Sequence, residues 1–127
     1  MPQYMLLIYQ PADGPPPEET AAETPAWMEY TQGLQDAGVM VNGAALQGTD
    51  AATTVRVRDD ETQIVDGPFA ETKEFLAGYY LLDCADLDAA LAHAARIPNI
   101  RYGSTEVRPV MDVAAAYEAA QQAQAQG

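Results

Sequence analysis

Residues 66–83 read DGPFAETKEFLAGYYLLD and join a rigid turn to the most strand-like run of the chain. Proline cannot donate to a β-ladder, so Asp66-Gly67-Pro68 ends the strand that precedes it. The segment from Phe75 to Asp83 predicts a strand, because aromatic and aliphatic residues are concentrated there. The turn before that strand has two interpretations: it is a structural connector, or it forms one edge of a binding cleft.

A β-hairpin is predicted immediately before this turn. Residues 53–58, TTVRVR, alternate apolar and polar side chains, as a half-exposed strand does. Asp59-Asp60-Glu61 predicts a tight turn, and residues 62–65 provide the second strand of the hairpin.

The remaining chain alternates between strands and helices. Strands are predicted at Tyr4–Tyr9, Val39–Ala45 and Ser104–Val110, and helices between Pro25 and Gly38 and between Asp86 and Pro98. We expect Thr24 to cap the first helix, with Pro25 in its first position, and Asp86 to cap the second. Residues 10–24 are rich in proline and acid and predict a loop, in which a short helical turn from Pro17 is an option.

This order of elements predicts an α+β fold of the ferredoxin-like type, in which a split βαβ unit is duplicated and a β-hairpin is inserted between the halves. Two helices cover only one face of such a sheet. The other face carries apolar and aromatic residues, so we expect a homodimer in which two sheets face each other. Residues 1–112 form the predicted domain. Residues 113–127 form an Ala/Gln-rich tail, predicted as a helix anchored by Tyr117 or as a disordered end.

The charge of the chain excludes several classes of partner. Its 127 residues carry a formal charge of −13, from 19 acidic and 6 basic residues. Such a chain repels nucleic acid and anionic membranes, so neither is an expected partner. The N-terminal apolar run is too short for a signal core or a membrane span. A single cysteine, Cys84, excludes an internal disulfide, and the predicted location is the cytoplasm.

Five segments of the chain resemble the YCII-related family, and more closely its DGPF-domain branch. They are residues 4–9 (YMLLIY), 54–58 (TVRVR), 66–74 (DGPFAETKE), 78–80 (GYY) and 106–110 (EVRPV). The resemblance covers about residues 3–110. It implies the dimeric α+β barrel, which agrees with the fold predicted from the pattern of strands and helices.

The resemblance also carries functional implications. Proteins of the DGPF branch have unknown activity, and some are encoded beside, or fused to, extracytoplasmic-function sigma factors. The wider family includes a dehydrochlorinase of chlorinated hydroxyquinols, and a His-Asp pair in the cleft between sheet and helices has been proposed for its members. That histidine belongs in the N-terminal part of the domain. The single histidine here, His93, falls on the second predicted helix, so the pair is not carried over, and we interpret His93 as a solvated helix residue.

Three residues are candidates for catalysis. Asp66 either caps its own turn through its carboxylate or acts as a base at a cleft. Glu106 and Arg108 share one face of the last strand, and they point toward the dimer interior if Val107 packs under the helices. There Arg108 could bind a carboxylate or an enolate-like oxygen while Glu106 accepts a proton. The alternative for this pair is a salt bridge that fixes the register of the dimer.

Three further residues are candidates for ligand binding. Phe69 is expected to point inward, as an anchor of the turn or as part of a cleft. Glu71 is either an acceptor beside a ligand or a member of an exposed ion-pair set. Tyr79 and Tyr80 fall on opposite faces of their strand, and Tyr79 is the lining candidate. Trp27 and Tyr30 could add an aromatic wall to a pocket, but both are interpreted mainly as core residues.

The sequence contains no dinucleotide, phosphate-loop or nucleophile-elbow motif, and one His and one Cys do not suggest a metal site. No cofactor is therefore predicted. The predicted function is the binding or transformation of a small metabolite in a sheet–helix cleft by cofactor-independent acid–base chemistry; whether the protein is an enzyme is left open. The alternative is a non-catalytic interaction module whose partner is a sigma factor.

Overall fold

The chain folds into strands and helices in the predicted order. A computed structural model describes residues 1–14, 17–70 and 72–126, and the side chains of these residues except 17–23. The strands are β1 (Gln3–Pro11), β2 (Met40–Ala45), β3 (Thr53–Arg58), β4 (Glu61–Asp66), β5 (Glu74–Asp83) and β6 (Ser104–Pro109). The helices are α1 (Pro17–Asp36), α2 (Leu87–Ala94) and α3 (Val113–Gln126). The predicted α+β class is confirmed.

Four strands form one sheet in the order β2-β5-β1-β6, and each neighbouring pair is antiparallel. Alternate residues of the two inner strands, among them Leu6 and Leu82, are fully buried. They share one core cluster with Leu34 of α1 and Ala90 of α2. Both helices therefore pack on the same face of the sheet.

We call the opposite surface of the sheet the open face. Because side chains alternate along a strand, the neighbours of the buried residues lie there. The register places Leu7 of β1 between Tyr79 and Glu106, and places Met5 between Leu81 and Arg108. The apolar residues Met5, Leu7, Tyr79 and Leu81 are only half-buried. The open face is thus apolar in its two inner strands and charged along β6.

Strands β3 and β4 form a separate two-stranded sheet. Asp59 and Asp60 connect them with φ angles of 53° and 64°, the left-handed values that a two-residue type I′ turn needs. The predicted hairpin is therefore confirmed. Val55 and Ile64 pair across the strands, and their side chains are 61% and 68% exposed. One face of the hairpin consequently presents branched apolar side chains to solvent.

The start of α1 differs from the prediction. The helix begins at Pro17, and Pro25 lies inside it instead of at its first position. Residues 18–24 consist of Glu, Ala and Thr, and Glu and Ala favour helices. The proline removes one backbone hydrogen bond, which the flanking helix accommodates.

The capping prediction for α2 is confirmed, because the Asp86 carboxylate accepts a hydrogen bond from the Ala89 N–H at 2.9 Å. The sequence predicts either a helix or a disordered end for the tail, and the tail forms helix α3. Tyr117 is exposed, and the expectation that it anchors this helix is wrong. None of the described helices is both long and apolar enough to cross a bilayer.

Candidate ligand-binding cleft

A cleft of about 730 Å³ lies between α1 and the helix-covered face of the sheet. Cavities that bind small molecules have volumes of roughly 300–1,000 Å³, and this cleft falls within that range. It is bordered by Ile8, Gln10, Trp27, Met28, Thr31, Gln32, Gln35, Met40, Gly43, Ala44, Ala45, Leu46, Gly48, Phe75, Ala77, Gly78, Tyr79 and Tyr80. The cleft therefore combines one helix with three adjacent strands.

Small residues form the floor of the cleft. Gly43 and Ala45 come from β2, and Ala77 and Gly78 come from β5. A Cβ atom added at Gly43 would lie 2.9 Å from the Tyr79 carbonyl oxygen, and one at Gly78 would lie 2.6 Å from the Ala44 carbonyl oxygen. Larger side chains on these strands would fill the hollow or force the strands apart. The cleft exists because these positions are small.

Two aromatic side chains flank this floor, Trp27 from α1 and Tyr80 from β5. Trp27 of α1 borders the cleft and is partly buried against the core, so its predicted core role is only part of its environment. The Tyr80 hydroxyl lies 2.6 Å from Thr31 Oγ1, and the Tyr80 ring meets the Tyr30 ring edge-on at 5.5 Å. These contacts hold Tyr80 against α1. The geometry of the cleft is therefore fixed by side-chain contacts between helix and sheet.

Tyr30 ties the same region to α2. Its hydroxyl donates a hydrogen bond to the His93 carbonyl oxygen at 2.7 Å. Burial, with a smaller contribution from Tyr80, raises the pKa of Tyr30 well above its ordinary value. The hydroxyl therefore stays protonated and acts as a permanent donor. Tyr30 has the core role predicted for it.

The polar groups of the cleft are neutral. Gln10, Gln32 and Gln35 contribute amides and Thr31 contributes a hydroxyl. Gln32 already donates to the Asp36 carboxylate at 2.8 Å. None of the described residues that border the cleft is Asp, Glu, Lys, Arg or His. The cleft offers hydrogen bonds and apolar contact, but no ionised side chain.

Asp66 does not border the cleft between α1 and the sheet. It is the exposed last residue of β4 and borders a second hollow of about 570 Å³, together with Asp50, Pro68 and Phe75. Gly67 has a φ of 122°, a value that glycine adopts without steric cost. Its N–H donates to the Ala52 carbonyl oxygen at 2.7 Å. The turn is thus fixed by backbone contacts and also forms one edge of a hollow.

Phe69 does not point inward. Its side chain is 74% exposed, and the Arg56 guanidinium carbon lies 5.0 Å from the centre of its ring. The expectation of an inward anchor is wrong, because the turn carries Phe69 onto the flank of the hairpin, where a cation–π contact holds it. Glu71, the neighbouring candidate, lies outside the described residues.

Glu106 and Arg108 are exposed on the open face, and Val107 packs against the core. The strand-face prediction for this pair is therefore confirmed. The pair lies on the side of the sheet opposite the cleft, and Asp66 belongs to the separate hairpin sheet. The structure does not bring the three candidate catalytic residues together. Their catalytic roles stay predictions.

Tyr79 is among the residues that border the cleft, and its ligand-binding role stays a prediction. Its position opposite Leu7 places its ring on the open face, so its backbone is the part that faces the cleft. The sequence prediction assigns Trp27 mainly to the core and chooses Tyr79 as the lining tyrosine, whereas the Tyr80 side chain is the one on the helix-covered face. The signal for the cleft was available in the small residues at 43–45 and 77–78, which are unusual inside strands.

Within the described part of the chain, no three His, Cys, Asp or Glu side chains are grouped in a way that could hold a metal ion. The single cysteine, Cys84, is a buried free thiol.

Comparison with known proteins gives a family but no activity. The family model described as the YCII-related domain matches residues 2–114. An uncharacterized protein of Rhizobium meliloti (strain 1021) is 51% identical to this chain over 77 residues, an alignment that covers 59% of this chain and 62% of that protein. The chain thus spans less than two thirds of this relative's length.

Proposed function

Because this chain belongs to the YCII-related family, whose fold predicts a cleft between sheet and helices, we propose that it binds a small metabolite between α1 and the sheet. One observation carries the proposal: small residues on β2 and β5 leave a hollow under α1 that is bordered by Trp27, Tyr80 and a set of neutral polar groups. Such a combination is typical of small-molecule sites.

Binding is the part of the predicted function that the geometry supports best. Acid–base chemistry in this cleft has no described ionisable side chain to use, apart from tyrosines. Asp66 stays a candidate base at the second hollow, beside Asp50. Glu106 and Arg108 stay candidates on the open face, where a second subunit would have to complete a site. Phe69 and Glu71 stay ligand-binding candidates near the Asp66 turn.

Native mass spectrometry of the purified protein and two variants tests this proposal. Ala45→Leu places a larger side chain in the floor of the cleft, and Ala45 is exposed enough to accept it without disturbing the core. Ala92→Leu adds the same side chain on the exposed face of α2 and is the matched control. We expect a small-molecule adduct on the natural protein and on Ala92→Leu, and its loss from Ala45→Leu. An adduct that survives Ala45→Leu unchanged would place the ligand elsewhere.

The same proposal includes a homodimer of the DGPF branch, built as a dimeric α+β barrel. The strand order β2-β5-β1-β6 supports the ferredoxin-like assignment, since each βαβ half is split by a strand of the other half. The half-buried apolar residues of the open face support a covering partner. Glu106 and Arg108 support a second copy as that partner, because a two-fold axis can bring Glu106 of each subunit to Arg108 of the other.

Charge reversal tests the dimer. Glu106→Arg puts two like charges on β6 of each subunit and is expected to weaken association in light scattering. The double variant Glu106→Arg/Arg108→Glu restores complementarity and is expected to recover the dimer. A natural protein that is monomeric at all accessible concentrations would refute the facing-sheet arrangement. The cytoplasmic location is part of the proposal and is supported by the free thiol of Cys84.

A second candidate function is a protein-interaction module for a sigma factor. The exposed apolar face of the hairpin favours it, because Val55, Val57 and Ile64 lie open to solvent on one face of the two strands. Val55→Thr/Ile64→Thr keeps β-branched side chains but removes this apolar surface. If the hairpin is the docking element, the variant loses binding to a purified extracytoplasmic-function sigma factor while the cleft still binds its ligand.

A further inference from the structure

Building on the proposed ligand-binding cleft, we infer that its ligand is an uncharged, largely apolar molecule with one or two neutral hydrogen-bonding groups. Carboxylates, phosphates and ammonium compounds are excluded by the same site.

Placing an ionised group of a ligand in the cleft costs free energy. A ligand in the cleft loses part of its hydration, and an ionised group then needs an opposite charge or several strong hydrogen bonds. The described residues that border the cleft supply no cationic and no anionic side chain. A charged ligand would leave its charge unpaired there, whereas a neutral ligand pays no such penalty.

The electrostatic field of the whole chain also acts on charged ligands. A formal charge of −13 lowers the average local concentration of anions around the protein. This acts against metabolites with carboxylate or phosphate groups in addition to the missing counter-charge. For cations the field is attractive, so the missing carboxylate in the cleft is what discriminates against them.

The polar groups that border the cleft can form hydrogen bonds with an uncharged ligand. Gln10 and Gln35 border the cleft, and each amide carries both donors and an acceptor. The Thr31 and Tyr80 hydroxyls already share a hydrogen bond of 2.6 Å, which uses one proton and one lone pair. The accepting hydroxyl can still donate to a ligand, and both oxygens can still accept. Hydroxyl, carbonyl and amide groups match these partners, since all of them bond well without being ionised.

The other residues that line the cleft are mostly apolar. Ile8, Met28, Met40 and Phe75 join Trp27 around the floor of Gly43 and Ala45. Methionine side chains adapt to irregular shapes, which suits a ligand body recognised by contact alone. The cleft therefore selects for an apolar body and against charge, with the polar groups of the ligand placed near α1 and the end of β1.

Trp27 provides the measurement, because it is the single tryptophan of the chain and borders the cleft. Three probes share a biphenyl body and differ in charge: 4-phenylbenzyl alcohol, 4-phenylbenzoate and 4-phenylbenzylammonium. Each is titrated into the natural protein, Ala45→Leu and Ala92→Leu, with Trp27 fluorescence as the readout and calorimetry as a check.

We expect the alcohol to bind at least about tenfold more tightly than either ion, a difference of about 1.4 kcal/mol. We also expect Ala45→Leu to lose this binding and Ala92→Leu to keep it. If an ion binds as tightly as the alcohol and is displaced by Ala45→Leu, the cleft stands as a binding site but the inference on ligand class is overturned. If no probe binds, or if Ala45→Leu changes nothing, the inference and the cleft proposal both fail.

Discussion

Thr31 Oγ1 and the Tyr80 hydroxyl lie 2.6 Å apart and join α1 to β5 at the edge of the cleft. The bond is partly buried and links residues 49 positions apart in the chain. It is a tertiary contact that sets the distance between helix and sheet, and hence the width of the space between them.

Removing this bond should reduce stability by a measurable amount. Thr31→Val keeps the shape of the side chain but leaves the Tyr80 hydroxyl without its partner, so we expect a loss of about 1 kcal/mol in the free energy of unfolding. Thr31→Ser retains the hydroxyl and is the control. A double-mutant cycle with Tyr80→Phe isolates the pair, and a coupling energy of zero would contradict the role given to it.

The glycine at the floor of the cleft should resist substitution. Gly43→Ala places a Cβ 2.9 Å from the Tyr79 carbonyl oxygen and 2.9 Å from Tyr80 Cδ1, so we expect a destabilisation of about 1–3 kcal/mol. Gly33 of α1 has no atom within 4 Å of an added Cβ and offers a matched control. Gly33→Ala should stabilise by about 0.5–1 kcal/mol through helix propensity. Urea unfolding of both variants measures the contrast, and equal effects would refute the close approach at Gly43.

His93 should make the free energy of unfolding depend on pH. Burial first, and the Arg96 guanidinium second, lower the pKa of His93 below its usual value of about 6.5. Arg96 Nη2 lies 3.1 Å from His93 Nδ1, a contact that suits a neutral ring. The unfolded chain therefore binds a proton at a higher pH than the folded chain does. Stability should be fully present above the unfolded pKa and should fall as pH decreases through the folded value.

The comparison with His93→Gln tests this dependence. Glutamine cannot take up a proton, so the variant should lose less stability than the natural protein when the pH is lowered from neutrality to about 5. Thermal unfolding across that interval is the measurement. Parallel pH curves for the two proteins would show that the ring titrates alike in the folded and unfolded states.

Cys84 should be inert in the folded protein. Its side chain is 2% exposed, and burial, followed by the nearby Asp83 and Asp86, raises the pKa of its thiol. Thiolate is the reactive form, so iodoacetamide should modify the folded protein at neutral pH far more slowly than the urea-unfolded protein. Cys84→Ala/Ala85→Cys moves the thiol to an exposed neighbour and should react quickly without denaturant. Fast labelling of the natural protein by mass spectrometry would contradict the observed burial.

The elements that the sequence predicts well are those decided by local chemistry. Alternation identifies residues 53–58 as a strand, and the Asp59-Asp60 pair tolerates the left-handed angles of its turn. Asp86 caps α2 because its short carboxylate reaches a free N–H three residues on. Glu106 and Arg108 share a face because strand geometry requires it. Each of these depends on neighbours within a few positions.

Where the prediction fails, distant contacts decide. The direction of Phe69 follows from the position of Arg56 on the hairpin, which the sequence around Phe69 does not contain. Pro25 signals a helix start locally, yet the helix continues through it. The cleft depends on α1 lying over the small residues of two non-consecutive strands, β2 and β5. Residue types alone do not specify that arrangement.

The strand order has a consequence for folding. The central strand β1 pairs with β5 and β6, so Tyr4 is opposite both Leu82 and Pro109. Pairings this distant along the chain raise the contact order and slow the folding of a small domain. During synthesis, β1 has neither neighbour until the second half of the chain leaves the ribosome. Until that point, both edges of β1 are unpaired, and Leu6 and Ile8 lack the neighbouring strands that help to bury them. We therefore expect the nascent N-terminal half to bind chaperones.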